Sequence, residues 1–365
     1  MSDPGAPPGK LMVDPYLDWV AKEGVPVYED FALNLAELET KYWPRFEVEG
    51  AIAHVKGRGD FTSIFIIDLA PGAATTQLQH LFEGAALVIS GRGCTKCEDH
   101  TGRTHSFEWG PNSLFAPPLN SRYQIFNTSG RERARLVIAN NLPAVLNLFH
   151  NERFVFQNTF TFSEREGSSK HFAGEGDFID VRPGKHMWET NFVPDLMSIK
   201  LHEWDARGAG SANIKLILAD GVLHVHVSDM PVGSYKKAHR HTADVNVFCL
   251  SGEGYSLFWY DGDKDFIRKD WHHGWVFAPP DMMFHQHFNS GGDIVRYLAV
   301  GHGSIRYPFT QNIWNVIKGI DANVKDGGNQ IEYEDQDPRV HAIFTAELAK
   351  RGLSPAGKYL EKIKA

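Results

Sequence analysis

The sequence predicts an all-β chain in which one barrel or sandwich is present twice, with a few helices at the periphery. Three observations predict it. The segments "SLFAPPLNSRYQIFN" (113–127) and "WVFAPPDMMFHQHFN" (275–289) share one skeleton, 162 residues apart. Upstream, Gly72 matches Gly233 and Gly91 matches Gly252, at an offset of 161 residues. Two landmarks in the same order at nearly one offset indicate a duplicated domain. Each copy also carries short β-branched runs halted at glycine, "FTSIFIIDLAPG" and "VLHVHVSDMPVG", the pattern of many short strands.

The elements follow in order. "DPYLDWVAKEG" (14–24) has helical apolar spacing and a closing glycine, which predicts a helix. "DHTGR" (99–103) and "YDGD" (260–263) lie between apolar segments and predict hairpin turns. "LPAVLNLFH" (142–150) predicts a connecting helix, and the Ser/Glu/Gly-rich stretch 162–177 a surface linker. "DPRVHAIFTAELAKRG" (337–352) opens on Asp-Pro and ends on Arg-Gly, with good helix start and stop chemistry. The expected layout is an N-terminal arm (1–50), a first barrel without a metal site (51–145), a connector (146–211), a metal-binding barrel (212–305) and a C-terminal extension with a helix (306–365). Both terminal segments are long enough to cover barrel edges.

Composition narrows the function. With 37 Lys+Arg against 45 Asp+Glu and a net charge of −8, the chain lacks the basic balance of a nucleic-acid binder. No apolar run is long enough to span a membrane. The start "MSDPGAPPGK" has no charged region followed by an apolar one, so no secretory signal is expected. Three cysteines in 365 residues point to reduced thiols and a cytoplasmic protein.

The histidines carry the chemistry. Gly233 is followed by five residues and then His239, Arg240 and His241; Pro280 is followed by His285 and then Asn289. This pattern resembles the two motifs of the cupin superfamily, over residues 51–140 and 212–302. The resemblance implies a bicupin, two jelly-roll (double-stranded β-helix) barrels in one chain. Residues i and i+2 of a strand share a face, so His239 and His241 can face the barrel interior together, and His285 joins them from a neighbouring strand. The glycine of the second motif is replaced by Met282, so the turn is expected to take another conformation. The resemblance places a fourth ligand, Glu, at Val245; Asp244 is one residue off and faces away. The expected site is thus three histidines without a carboxylate. His224 and His226 also share a strand face, and either line the same cavity or lie on a solvated surface. In the first repeat the three ligand positions hold Leu78, His80 and Tyr123, so that barrel is expected to be structural. Cys94, Cys97, His100 and His105 form a zinc-like list, but residues three apart on a strand diverge, and a plain hairpin is expected.

Neutral imidazoles leave a divalent ion's charge uncompensated and several of its positions open, which suits an anionic substrate. Three histidines without the Glu resemble the gentisate and salicylate type of ring-cleaving dioxygenase, which implies Fe(II), O2 and a hydroxylated aromatic acid, with Mn, Ni and Zn as alternatives. Against that type, Ala243 and Val247 stand where Gln and Arg usually do, and Met282, Met283 and Phe284 replace a Trp-rich stretch. Arg296 is a candidate carboxylate clamp or a surface arginine. His287 is a candidate hydrogen-bonding neighbour of the ligands, a proton shuttle, or a packed ring. Trp259, Phe284 and Met283 either wall a pocket or belong to the core, and Cys249 is expected in the core. The alternatives to a dioxygenase are another metal-dependent enzyme (a lyase, isomerase or decarboxylase of a small acid) or a ligand-binding barrel without turnover. A homo-oligomer is expected.

Overall fold

The computed structural model describes residues 13–56, 61–182, 185–208, 210–242, 245–309 and 322–363. The expectations for Ala243 and Asp244 lie outside the described residues.

The duplication folds as two jelly-roll barrels, each of eight strands. In the second they are Ala212–Leu218, Leu223–Met230, Asn246–Ser251, Glu253–Trp259, Ile267–His272, Trp275–Phe277, Phe284–Asn289 and Val295–His302. Glu253–Trp259 pairs with both Ile267–His272 and Phe284–Asn289 in a small sheet, while the others join a larger one. The first barrel repeats the plan, with Gly93–Glu98 between Arg122–Asn127 and Thr104–Trp109. Alternation explains how the barrels meet. Leu223, Val225 and Val227 point out of the second barrel and pack with Ile64, Ile66 and Leu87 of the first in one shared apolar layer. The opposite strand faces form separate interiors. That of the first barrel is filled with aromatic rings such as Trp43, Phe65 and Phe82.

The repeats also exchange edges. Ala32–Asn34, from the arm before the first barrel, pairs with Trp275–Phe277 of the second, and Phe192–Val193 pairs with Leu114–Phe115 of the first. At the far end, helix Pro338–Ala349 seats Val340, Phe344 and Leu348 on Tyr235, Tyr255 and Phe288. Asp337 caps that helix by accepting from the Arg339 amide, as the sequence predicts; Asp14 caps Pro15–Glu23 in the same way through Leu17, and the expected Gly24 closes it. The connecting helix spans Leu142–Phe149. The stretch 162–177 is more ordered than a linker: it holds a short helix, Ser169–Phe172, closed by a Ser168–His171 capping box.

Two expectations change here. Met282 keeps the left-handed conformation of the glycine it replaces, with φ 53°, and the equivalent Asn120 has φ 57°. The crossing from one sheet to the other imposes the turn in both repeats, and the Met282 amide donates to the His241 carbonyl at 2.9 Å. Arg296 is no substrate clamp. It lies on the outward face of its strand, grips Asp229 with two hydrogen bonds of 2.7 Å, and donates to the carbonyls of Leu196, Met197 and Ile199. Arg135 does the same in the first barrel, gripping Asp68 and donating to the carbonyls of Leu35 and Ala36. A contact present in both copies, including the one without the histidine triad, belongs to the scaffold. Replacing Arg296 or Arg135 with Met is expected to cost about 2 kcal/mol each, the scale of lost charge-assisted hydrogen bonds, read by urea unfolding. Metal content of the Arg296→Met protein is expected to equal that of the parent.

Candidate metal centre

The backbone builds the centre. The amide of His239 donates to the His285 carbonyl at 3.0 Å, and the amide of His285 returns the bond at 2.9 Å. This reciprocal antiparallel pair sets the two rings side by side on one face, with centroids 4.1 Å apart. His241, two residues along, reaches the same point, its ring 4.6 Å from that of His285. One ring nitrogen from each of the three lies within 4.8 Å of the others.

The hydrogen bonds on the far side of each ring decide what these nitrogens can do. Nδ1 of His239 faces the Lys237 carbonyl at 3.1 Å, Nδ1 of His241 the Thr242 carbonyl at 2.7 Å, and Nδ1 of His285 the Met283 carbonyl at 3.1 Å. A carbonyl only accepts, so each Nδ1 keeps its proton and each Nε2 presents a lone pair. The Nε2 atoms of His239 and His285 are 2.9 Å apart. Two lone pairs at that distance repel. A proton placed between them would have to come from an Nδ1 facing a carbonyl, or else charge a buried ring. All three rings are held below the usual histidine range, first by burial, with the Arg207 guanidinium opposing their protonation; for His241 the value is about 4. A cation at the point where the three Nε2 meet resolves the conflict, and neutral imidazole is the form a metal takes. The residues present therefore fit a divalent ion.

The surroundings are cationic and aromatic. Val245, at the expected fourth-ligand position, packs against the apolar interior. His287 faces the interior beside His285, with ring centroids 5.3 Å apart. Its Nδ1 is 2.8 Å from Ser256 Oγ, which accepts from Trp271 Nε1 at 2.9 Å, and burial holds its pKa at about 3. His224 and His226 also point inward, opposite Leu223, Val225 and Val227, with Nε2 of the first 2.8 Å from Nδ1 of the second. The structure thus places them in the cavity rather than on a solvated surface. Phe284 faces away, stacked on Trp259 and beneath Arg240, and neither ring walls the site. Met283 and Cys249 belong to the interior core, where burial pushes the Cys249 thiol up to about 12.

Two cations were missed in the sequence. Arg207 is 2% exposed and Lys236 fully buried. Arg207 acts electrostatically on His239, His241, His285 and His287. Strict alternation from His239 assigns the interior to Lys237. However, Tyr235 opposes Phe288 while His239 opposes His285, so four steps on one strand match three on the other. This bulge turns Lys236 inward and sends Lys237 out to Glu332, at 2.6 Å.

In the first barrel Leu78 and Tyr123 make the backbone bridge that His239 and His285 make in the second. His80 uses both ring nitrogens, on the Tyr123 hydroxyl at 2.7 Å and near the Phe82 carbonyl at 2.8 Å. Cys94 and Cys97 diverge as strand geometry demands. His100 pairs with Glu166 and His105 with Asp99. Among the described residues the only cluster with metal-binding geometry is the His239–His241–His285 group.

No protein-family model matches the chain, and no curated protein does. Solved structures do align with it. A Bacillus subtilis oxalate decarboxylase studied for its Mn(II) centres has 15% identity, covers 75% of this chain and 77% of its own, and gives a TM-score of 0.47. The formate complex of Lactobacillus farciminis oxalate decarboxylase has 13% identity, covers 77% of this chain and 87% of its own, and gives a TM-score of 0.49. The functional reading rests on this chain's own side chains.

Replacing His239 or His285 with Ala is expected to abolish stoichiometric metal uptake, measured by elemental analysis after dialysis, with the β-sheet circular dichroism retained. His80→Ala is expected to keep its metal. A pH dependence follows from His80, His287 and His302, which burial holds at about 4, about 3 and about 4. Below about pH 6.5 the unfolded chain binds protons that the folded one refuses, whereas above it these groups contribute nothing. The metal-free protein is therefore expected to have a constant urea midpoint between about pH 7 and 8, and a falling one between about pH 6.5 and 5.

Proposed function

We propose that this chain is a metal-dependent enzyme acting on a small organic acid, by lyase chemistry such as decarboxylation, at the His239–His241–His285 centre. The observation that carries the reading is the convergence of three neutral imidazoles, each fixed by a backbone carbonyl, in an interior where two buried cations, Arg207 and Lys236, act on the histidines. The donor set, three neutral imidazoles with no carboxylate, suits a divalent first-row ion such as manganese or iron. When bound, the ion supplies a Lewis acid for the substrate's oxygen atoms.

The protein's own groups do the rest. The cationic interior attracts the acid as its anion, and the apolar walls, Phe258, Phe277 and Tyr297, keep bulk water away. Loss of CO2 leaves an electron pair on the remaining fragment, which takes up a proton from water. His287 is placed to orient the acid: the Trp271 N–H fills one lone pair of Ser256 Oγ, the Ser256 hydroxyl can donate to His287 Nδ1, and the neutral ring then presents Nε2–H as a hydrogen-bond donor. The gentisate-type reading has less support. Arg296 lies on the outer face with Asp229, Val247 is a buried apolar residue, and Trp259 and Phe284 lie outside the barrel. Fe(II) fits the three imidazoles, as do Mn, Ni and Zn.

The test is a screen of small mono- and dicarboxylic acids, with and without added Mn(II) or Fe(II), following CO2 release and O2 uptake together. Acid-dependent CO2 release without stoichiometric O2 uptake is expected. O2 uptake with 2,5-dihydroxybenzoate would instead restore the dioxygenase reading. His287→Leu is expected to lower kcat/KM by about 10–100-fold, the scale of one hydrogen bond to a charged group, with metal content unchanged.

A further inference from the structure

Lys236 presents an unusual combination. Its side chain is fully buried, and Nζ has no hydrogen-bond partner among the described residues. It lies over the ring of Tyr297, whose centroid is 5.4 Å away. Its direction is fixed by its neighbours. Tyr235 packs outward on Phe344 and Tyr359, and Lys237 pairs outward with Glu332. The residue between them enters the barrel, on the side where Tyr297 lies 6.1 Å from His287 and 6.0 Å from His226. Arg207, itself 2% exposed, is close enough to oppose the charge on both Lys236 and His287.

Among the described residues no carboxylate hydrogen-bonds the Lys236 ammonium, and Asp229 acts on it only at a distance. The strands Leu223–Met230, Asn246–Ser251, Phe284–Asn289 and Val295–His302 carry one carboxylate between them, Asp229, and Arg296 holds it on the outer face. A buried ammonium without a hydrogen bond costs folding free energy. A sequence that needed only packing at this position would be better served by Met or Leu. The lysine is therefore accounted for by a ligand that arrives with negative charge. Burial and Arg207 bring its pKa down to about 7, so an incoming anion would restore the full ammonium.

We propose that Lys236, with Arg207 beside it, is the anchor for a second anionic group of the substrate, so that the site takes a compact dianion such as a small dicarboxylate, one end at the histidine triad and the other at Lys236. This rests on the metal reading above for the first end only. Lys236 is three residues before His239 in sequence and faces His287 rather than the triad, so metal and anion binding can be separated experimentally.

The experiment uses the full chain, as the parent and as Lys236→Met and Lys236→Arg, each loaded with Mn(II). Metal content is measured independently. The probes are oxalate, malonate and succinate, with acetate as the single-charge control, titrated calorimetrically. The parent is expected to bind one of the dicarboxylates at least about tenfold more tightly than acetate. Lys236→Met is expected to lose that preference while keeping its metal, and Lys236→Arg to recover part of it. The ligand-free Lys236→Met protein is also expected to melt about 2 °C higher, as removal of a buried unpaired charge requires. Unchanged dicarboxylate preference in Lys236→Met overturns the anchor, as does a lower melting temperature, which would mark Lys236 as a packing residue. Dicarboxylate selectivity in a parent that takes up no metal leaves the anchor standing and removes the metal reading instead.

Discussion

The histidine cluster of the second barrel depends on one backbone pair, His239 with His285. Reciprocal amide–carbonyl bonds lock the two residues opposite each other, and both side chains must then leave the same face of the sheet. Their Nε2 atoms end up 2.9 Å apart with lone pairs opposed, because carbonyls behind each ring retain the Nδ1 protons. The strain is local, but the whole barrel maintains it. The ladder to Glu253–Trp259 fixes one strand. Residues 323–330 fix the other, through the bridge between His239 and Gln330 and the bond from the Arg240 amide to the Asn329 carbonyl.

The duplicated barrel acts as an internal control. Leu78 and Tyr123 make the equivalent backbone pair, so the geometry is a property of the fold rather than of the histidines. With an apolar side chain and a phenol in place of two imidazoles, the same position closes: Tyr123 hydrogen-bonds His80, which stacks on Phe82 with ring centroids 3.7 Å apart. The first barrel has an aromatic-filled interior, and the second gives part of its interior to histidines, Lys236 and Arg207. Features common to both, such as the Arg135–Asp68 and Arg296–Asp229 grips, serve the architecture. Features found in the second alone, the histidine triad and Lys236, are those on which the proposed function rests.

The exchange of edge strands makes the barrels interdependent. Ala32–Asn34 precedes the first barrel yet completes the sheet of the second, and Phe192–Val193 does the converse. The centre is thus braced by residues more than 200 positions away, and the shared layer of Ile, Leu and Val between the barrels leaves their outer sheet faces dry.

Much of this was legible in the amino-acid order. The duplication, the all-β class and the inward direction of His239, His241 and His285 follow from fixed spacings, because strand periodicity is local and the repeat offset is preserved. The helices closed at Gly24 and capped at Asp337 were equally plain. Three features belonged to the tertiary structure alone. The bulge between Tyr235 and His239 chose Lys236 over Lys237 for the interior, since a bulge exists only in the pairing of two strands. The outward placement of Arg296 required knowing which face of Val295–His302 meets the other barrel. The protonation pattern of the triad was set by the carbonyls of Lys237, Thr242 and Met283, whose directions follow from how the chain turns in space. Sequence determined which groups are available and at what spacing; the packing of strand against strand decided which of them face one another, because only there do distance and burial acquire values.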